Sequence, residues 1–141
     1  MPISQDHAGC SYPATAPYEV TGAKIAEFAA ALGESDNPAY QGTDAIAPPT
    51  FAVVLAGAAW SSLFDDPELG LSLARTVHVD QEFRWTRPLR RGDEVGARLT
   101  IDKVRVRGTG AFITVSVELA TTAGEPVAVA SSTLLHQGVA Q

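Results

Sequence analysis

The chain has almost no sulfur: Cys10 is its one cysteine and Met1 its one methionine. A single cysteine excludes an intramolecular disulfide, so packing and hydrogen bonds must hold the fold. Charge is also sparse, at 18% Asp, Glu, Lys and Arg, with a net value of −6. That balance lacks the excess of Lys and Arg with which proteins grip nucleic acid regardless of sequence, and no nucleic-acid partner is expected. The apolar runs are too short to span a membrane, and no apolar signal-peptide core precedes Cys10; the cytoplasm is the expected location. His7, His78 and His136 are scattered, and no Cys, His or carboxylate group has metal-ligand spacing. Neither a metal nor a cofactor is expected.

What the chain does have is a 45% hydrophobic content within 141 residues, enough for one core, and residues 1–141 are expected to form one domain. Its centre of organisation is the stretch 47–62. Pro48 and Pro49 suit a helix start, where no N–H donor is needed, and Phe51, Val54, Leu55, Ala58 and Ser62 follow at helical spacing. The other side carries Ala52, Val53, Ala56, Ala59 and Trp60, so this helix has no polar face. A helix apolar all round is expected to be wrapped on every side.

Residues 1–16 read as an entry arm biased to extended backbone by Tyr12-Pro13 and Ala16-Pro17, with a short strand near residues 18–20. Thr21 is placed to cap a helix running to about Leu32, with Ile25, Phe28, Ala29 and Leu32 on one face and Gly33 as its stop. Residues 33–47 are dense in turn formers, and Asn37-Pro38 predicts a turn held by the Asn side chain.

Beyond the buried helix, residues 65–70 read as a loop and four strand-like runs follow without an intervening helix, which predicts an antiparallel sheet. In residues 76–85, Val77, Val79, Phe83 and Trp85 alternate with Thr76, His78, Asp80, Glu82 and Arg84, which predicts two opposed faces. Residues 90–93, Arg-Arg-Gly-Asp, predict a hairpin-type turn with Gly92 free to take positive φ. Val95, Ala97, Leu99 and Ile101 share one parity while Val104 and Val106 fall on the other, which predicts a bulge near Asp102. Arg84, Arg87, Arg90 and Arg91 fall close together; they read either as a solvated turn or as a contact for an anionic substrate group.

These elements compose an α+β chain in which an antiparallel sheet wraps one buried helix, the plan of the hot-dog fold. The residues also resemble a family within it. The strings Ala47-Pro48-Pro49-Thr50-Phe51, Asp66-Pro67-Glu68-Leu69-Gly70-Leu71, Val77-His78-Val79-Asp80-Gln81-Glu82-Phe83 and Arg87-Pro88-Leu89-Arg90-Arg91-Gly92-Asp93 look like the MaoC-like dehydratases. With Tyr12-Pro13 and Pro17-Tyr18-Glu19-Val20, the chain resembles their N-terminal, FAS1-like type, which includes accessory subunits of actinobacterial (3R)-hydroxyacyl-ACP dehydratases. The resemblance implies acyl-CoA or acyl-ACP thioesters as ligands and an acyl tunnel beside the buried helix. It also implies a pantetheine arm that crosses a subunit boundary, in a homodimer or in a heterodimer with a second hot-dog subunit.

Dehydration of a 3-hydroxyacyl thioester needs a base for the C2 proton, an acid for the leaving hydroxyl and a donor for the developing enolate. Active members of the resembled family supply an Asp and a His in the pattern Asp-x-Asn-Pro-x-His; here that place reads Ser35-Asp36-Asn37-Pro38-Ala39-Tyr40. Ser35 and Tyr40 stand at the dyad positions, and neither is an acid or base near neutral pH. Asp36 or Glu34 is an alternative carboxylate if the loop is displaced by one residue, and His78 with Asp80 is a candidate pair expected to share a strand face. Asp36 or Asp44 is also a candidate to activate water in a thioesterase. Expected ligand-contact residues are Asn37, Tyr40, Pro49, Thr50 and Phe51, with Thr50 also suited to capping and Asn37 to holding the turn. Three readings remain open from the sequence: an accessory subunit lacking the dyad, a self-sufficient dehydratase or thioesterase, and a binding module without chemistry.

Overall fold

The computed structural model describes residues 3–138; Met1 and Pro2 of the expected arm lie outside them. Thr21 leaves the short strand β1, Tyr18–Glu19, and its hydroxyl accepts the Lys24 N–H at 3.1 Å to open α1, Gly22–Ala31. Leu32 follows as the last helical position, and Gly33 takes φ +77°, the left-handed conformation that ends helices. The face of α1 bearing Ile25 and Ala29 is buried, whereas Leu32, expected on that face, is exposed because the helix ends there.

Pro49 takes the first position of a 3-10 turn, Pro49–Phe51, which continues into α2, Ala52–Ala59, and through helical Trp60 into α3, Ser61–Phe64. Together they form one central rod. It is not wrapped on every side as its composition predicts: Phe51, Ala52, Leu55, Ala56, Ala59 and Leu63 are buried, but Val54, Gly57, Ala58 and Ser61 are exposed. The sheet covers one side, and Phe28 of α1 covers the start by an edge-to-face contact with Phe51 at 5.3 Å. The uncovered stripe is made mostly of small residues, whose exposure costs little.

The sheet has strands β2, Thr76–Trp85, β3, Glu94–Arg107, β4, Gly110–Thr121, and β5, Pro126–His136, with β1, in the antiparallel order β1-β3-β4-β5-β2. Inward residues such as Val95, Leu99, Ile113, Val117 and Leu134 pack with the central rod as one core. One antiparallel sheet curled on one helix is the hot-dog arrangement expected from the sequence. Residues 90–93 do turn, with Gly92 at φ +91°. They do not close a hairpin, since β2 pairs with β5 and β3 pairs with β1 and β4. The turn belongs to a crossover that carries the chain from one edge of the sheet to the other.

That crossover is strapped by Arg87, whose guanidinium meets Asp93 at 2.8 Å and Glu125 of the β4–β5 turn at 3.0 Å. The Arg87 and Asp93 side chains are only 14% and 16% exposed. Burial alone would raise the Asp93 carboxyl, but Arg87 and the Arg90 N–H hold it below its ordinary value. Of the clustered arginines, Arg84 pairs with Glu82 at 3.1 Å on the surface, while Arg87 is structural.

The bulge expected near Asp102 is present: β3 shifts register against β4 between Ile101 and Lys103. A second bulge interrupts β2. His78 stands opposite Leu134 and Asp80 opposite Thr133, so Val79 is the extra residue. Directly opposed residues in an antiparallel pair point the same way, and Leu134 faces the core while Thr133 does not. At the end of β5, buried His136 accepts the Ser72 N–H at Nε2, 3.0 Å away. Burial, then the charge of Arg75, lowers its pKa from the ordinary imidazole value of 6.5.

The entry arm runs along the outer edge of β3. Gly9 N–H donates to Ile101 O at 2.7 Å, Ile101 N–H to Cys10 O at 2.8 Å, Tyr12 N–H to Leu99 O at 3.0 Å and Thr15 N–H to Ala97 O at 2.9 Å. Buried Ile3 and the Tyr12 hydroxyl, which donates to Asp66 at 2.7 Å, anchor it. Burial and the Asp66 carboxylate raise the Tyr12 pKa well above the ordinary phenol value.

Candidate functional site

The motif that carries the dyad in active dehydratases folds here as a small polar turn. Asn37 Oδ1 accepts the Ala39 N–H at 3.0 Å, and its Nδ2 donates to Glu34 at 3.1 Å, so Asn37 holds the turn. It opens the 3-10 turn Pro38–Tyr40, which Ile46 N–H closes onto the sheet crossover by bonding Ala39 O at 2.9 Å. Ser35 is exposed and its carbonyl accepts Gln41 Nε2 at 2.6 Å. Asp36 and Asp44 are exposed, and neither lines the cleft described next.

Tyr40 projects from this turn into the wall of an apolar cleft of about 330 Å³. Its other main lining residues are Ile46, Pro49, Trp85, Arg87 and Pro88. Three segments meet here for separate reasons. The turn presents Tyr40, the proline-started rod presents Pro49, and the alternation after the Val79 bulge turns Trp85 inward, opposite Ala128. Arg87 contributes wall without free charge, because both carboxylates already engage it.

Two expected ligand contacts, Tyr40 and Pro49, are therefore brought together in this cleft. Phe51 is not in it: it is 1% exposed and packs in the core against Phe28 and Tyr18. Thr50 is exposed, and the rod starts without a side-chain cap, so the capping role expected for Thr50 is not realised. Trp85, Ile46 and Pro88 escaped the sequence reading as site residues. The regular alternation that ends in Trp85, and the Arg87-Pro88 break after it, were the available signals.

The expected His78–Asp80 pair is not formed. The bulge at Val79 puts the two residues on opposite faces of the sheet, because one extra residue reverses the side on which every later side chain emerges. His78 instead faces the central rod, its ring perpendicular to Trp60 at a centroid distance of 4.9 Å. Asp80 lies on the outer face with Glu82 and Arg84. His78 and Asp80 therefore make no acid–base pair, and among the described residues no group of three His, Cys, Asp or Glu gathers to hold a metal.

The wall of the cleft that belongs to β2 is also an open edge. No strand among the described residues pairs with the outer side of β2, and Val77 and Val79 are 57% and 51% exposed. Among the described residues no helix is long and apolar enough to cross a membrane.

Comparison with known proteins places this geometry. Residues 6–130 match the FAS1-like, dehydratase domain region. The chain is 53% identical over 136 residues to a UPF0336 protein of Cutibacterium acnes, covering 96% of this chain and 95% of the relative. It is similar to a chain in the C-terminally truncated HadBC (3R-hydroxyacyl-ACP dehydratase) complex from Mycobacterium tuberculosis. That likeness has a TM-score of 0.81 at 26% identity, over 94% of this chain and 99% of the other. A MaoC-like dehydratase shares the fold with a TM-score of 0.83 at 23% identity, over 94% of this chain and 43% of the other.

Proposed function

Since this chain belongs to the FAS1-like dehydratase domain family, among the hot-dog hydratases and dehydratases, we propose that it is the acyl-binding accessory subunit of a (3R)-3-hydroxyacyl-thioester dehydratase. The observation that carries the reading is Ser35 and Tyr40 at the positions where the resembled enzymes hold Asp and His. With His78 and Asp80 on opposite faces, that pair does not stand in for them.

In this reading the cleft between Tyr40, Pro49 and Trp85 contacts the acyl thioester and keeps water from it, while a second hot-dog subunit supplies base and acid. The bare edge of β2 is where that subunit docks, extending the sheet strand to strand. The catalytic subunit's cleft and this one then face a common boundary, which suits a pantetheine arm that crosses it. The HadBC relative is itself a complex of two different chains, in keeping with a heterodimer, and the exposed valines of β2 give such a junction apolar area.

The test is the loss of enoyl-thioester absorbance with short and long trans-2-enoyl-CoA substrates. The purified chain is expected to be inactive, and to raise the rate of a dyad-bearing hot-dog homologue beyond that protein's own. Efficient hydration by the chain alone overturns the accessory role. Thiol release from acyl-CoA, with hydration absent, assigns it as a thioesterase instead.

A further inference from the structure

The bulge divides the rod-facing side of β2 into two halves. Toward the cleft, Phe83 and Trp85 stand opposite buried Ala130 and Ala128 and present apolar rings. Toward the strand's start, His78 stands opposite buried Leu134 and faces the far end of the rod, where Trp60 meets it at 4.9 Å with the two rings perpendicular. The extra residue at Val79 is what turns His78 there: an uninterrupted strand with Phe83 and Trp85 inward would point it outward.

His78 is the imidazole that the fold leaves unemployed. His7 accepts the Ser4 N–H at Nδ1, 3.0 Å away, and His136 accepts the Ser72 N–H, whereas His78 is exposed and has no hydrogen-bond partner among the described residues. The indole N–H of Trp60 beside it is buried and likewise unpartnered. A neutral imidazole offers one donor and one acceptor, and an edge-to-face contact limits the directions in which they point. The cleft of its own chain is out of their reach: at ~3.3 Å a residue the strand sets His78 about 20 Å from Trp85.

The open edge brings a different cleft within reach. Every strand pair of this sheet is antiparallel. A second hot-dog subunit that joins the edge of β2 and keeps its own rod on the same side of the sheet is turned about an axis normal to the sheet, which reverses the direction of its edge strand. The two ends of the strand are thereby exchanged across the joint, and the His78 end of this chain lies beside the end at which the partner's cleft opens. We infer that His78 completes that cleft and hydrogen-bonds the ligand held by the catalytic subunit. The inference rests on the accessory-subunit reading and gives this chain a side chain in its partner's active site, apart from its own apolar cleft. His78 acts there as a substrate contact, while the base and acid come from the partner.

Ring-nitrogen signals of the chain, made with isotope-labelled histidine and assigned with His78→Gln, test this when recorded alone and with a dyad-bearing hot-dog homologue, before and after octanoyl-CoA. In the pair, octanoyl-CoA is expected to shift the His78 signals and leave those of His7 and His136 in place; in the chain alone it moves none of them. His78→Ala is expected to lower kcat/KM of the pair for trans-2-octenoyl-CoA about tenfold, the worth of one hydrogen bond, with pairing in sedimentation velocity unchanged. His78→Gln, whose amide also donates and accepts, keeps most of the rate, and Asp80→Asn on the outer face keeps all of it. A His78 shift in the chain alone assigns the ring to its own chain and overturns the inference. A His78→Ala pair that retains its full rate also overturns it, as does one that fails to assemble, which makes His78 an interface residue; each of these leaves the accessory reading standing. No pairing and no gain in rate with the unaltered chain overturns both.

Discussion

Along β3 the outer edge of the sheet is occupied by the chain's own entry arm, whereas along β2 no strand among the described residues pairs with the outer edge. The first edge is closed by backbone hydrogen bonds, a buried Ile3 and the Tyr12–Asp66 contact. The second carries a bulge, two exposed valines and the charges of Asp80, Glu82 and Arg84. Bulges and charges are how proteins keep an open edge from pairing indiscriminately. In the proposed reading this is the edge that a second hot-dog subunit takes, and it is the edge that borders the apolar cleft.

The strongest way to break the contrast is to uncover the closed edge as well. Removing residues 1–16 deletes the buried Ile3 and the run of edge hydrogen bonds, at a cost of about 4 kcal/mol or more. That approaches the whole stability of a small domain. The truncated chain is expected to lose its cooperative thermal unfolding transition or to aggregate, as read by circular dichroism and light scattering.

Next in size is the strap between the edges. Arg87→Ala leaves the largely buried Asp93 carboxylate without its partner, and a loss of about 3 kcal/mol in urea unfolding is expected. Asp93 has a lowered folded pKa, so the stability it contributes is present above its ordinary value of 3.8 and lost as pH falls below it. Acid unfolding of the wild type and of Arg87→Ala should converge in that range.

His136 gives a smaller effect. Its folded pKa is depressed, so the unfolded chain takes up its proton first, and stability declines as pH falls below about 6.5 toward the folded value. Protonation also removes the acceptor that Nε2 offers to Ser72. The melting temperature is expected to slope downward in that window for the wild type and to flatten in His136→Gln. The slightest change in stability sharpens the comparison most. Val77→Lys with Val79→Lys alters exposed positions, so unfolding should move by no more than about 0.5 kcal/mol. Sedimentation velocity should nevertheless show loss of association with a dyad-bearing partner.

The same contrast explains what was legible from sequence. Both bulges are single-residue insertions, at Asp102 and at Val79, yet only the first was readable. After Asp102 the apolar residues change parity, because Ile101 and Val104 both face the core and cannot do so without an extra residue between them. In β2 the inserted residue is itself a valine and Val77 faces outward, so Val77, Val79, Phe83 and Trp85 imitate one unbroken stripe. The error passed directly into the site, as a His78–Asp80 pair that the fold separates. Tyr40 and Pro49 were legible because they flank a helix start marked by two prolines. Trp85 was not, since its role depends on a crossover between sheet edges that local patterns express only as a turn. The full burial of the central helix was overread for a related reason: alanine and glycine score as apolar yet tolerate exposure.

The Val79 bulge also has a genetic meaning. Side-chain parity along β2 is set by how many residues the strand contains, and no point substitution at position 78, 79 or 80 alters that number. Loss of the Val79 codon would restore the register against β5, yet it would leave His78 and Asp80 as immediate neighbours, which alternate to opposite faces of the sheet. Neither substitution of Val79 nor its loss therefore brings the imidazole and the carboxylate to one side of the sheet.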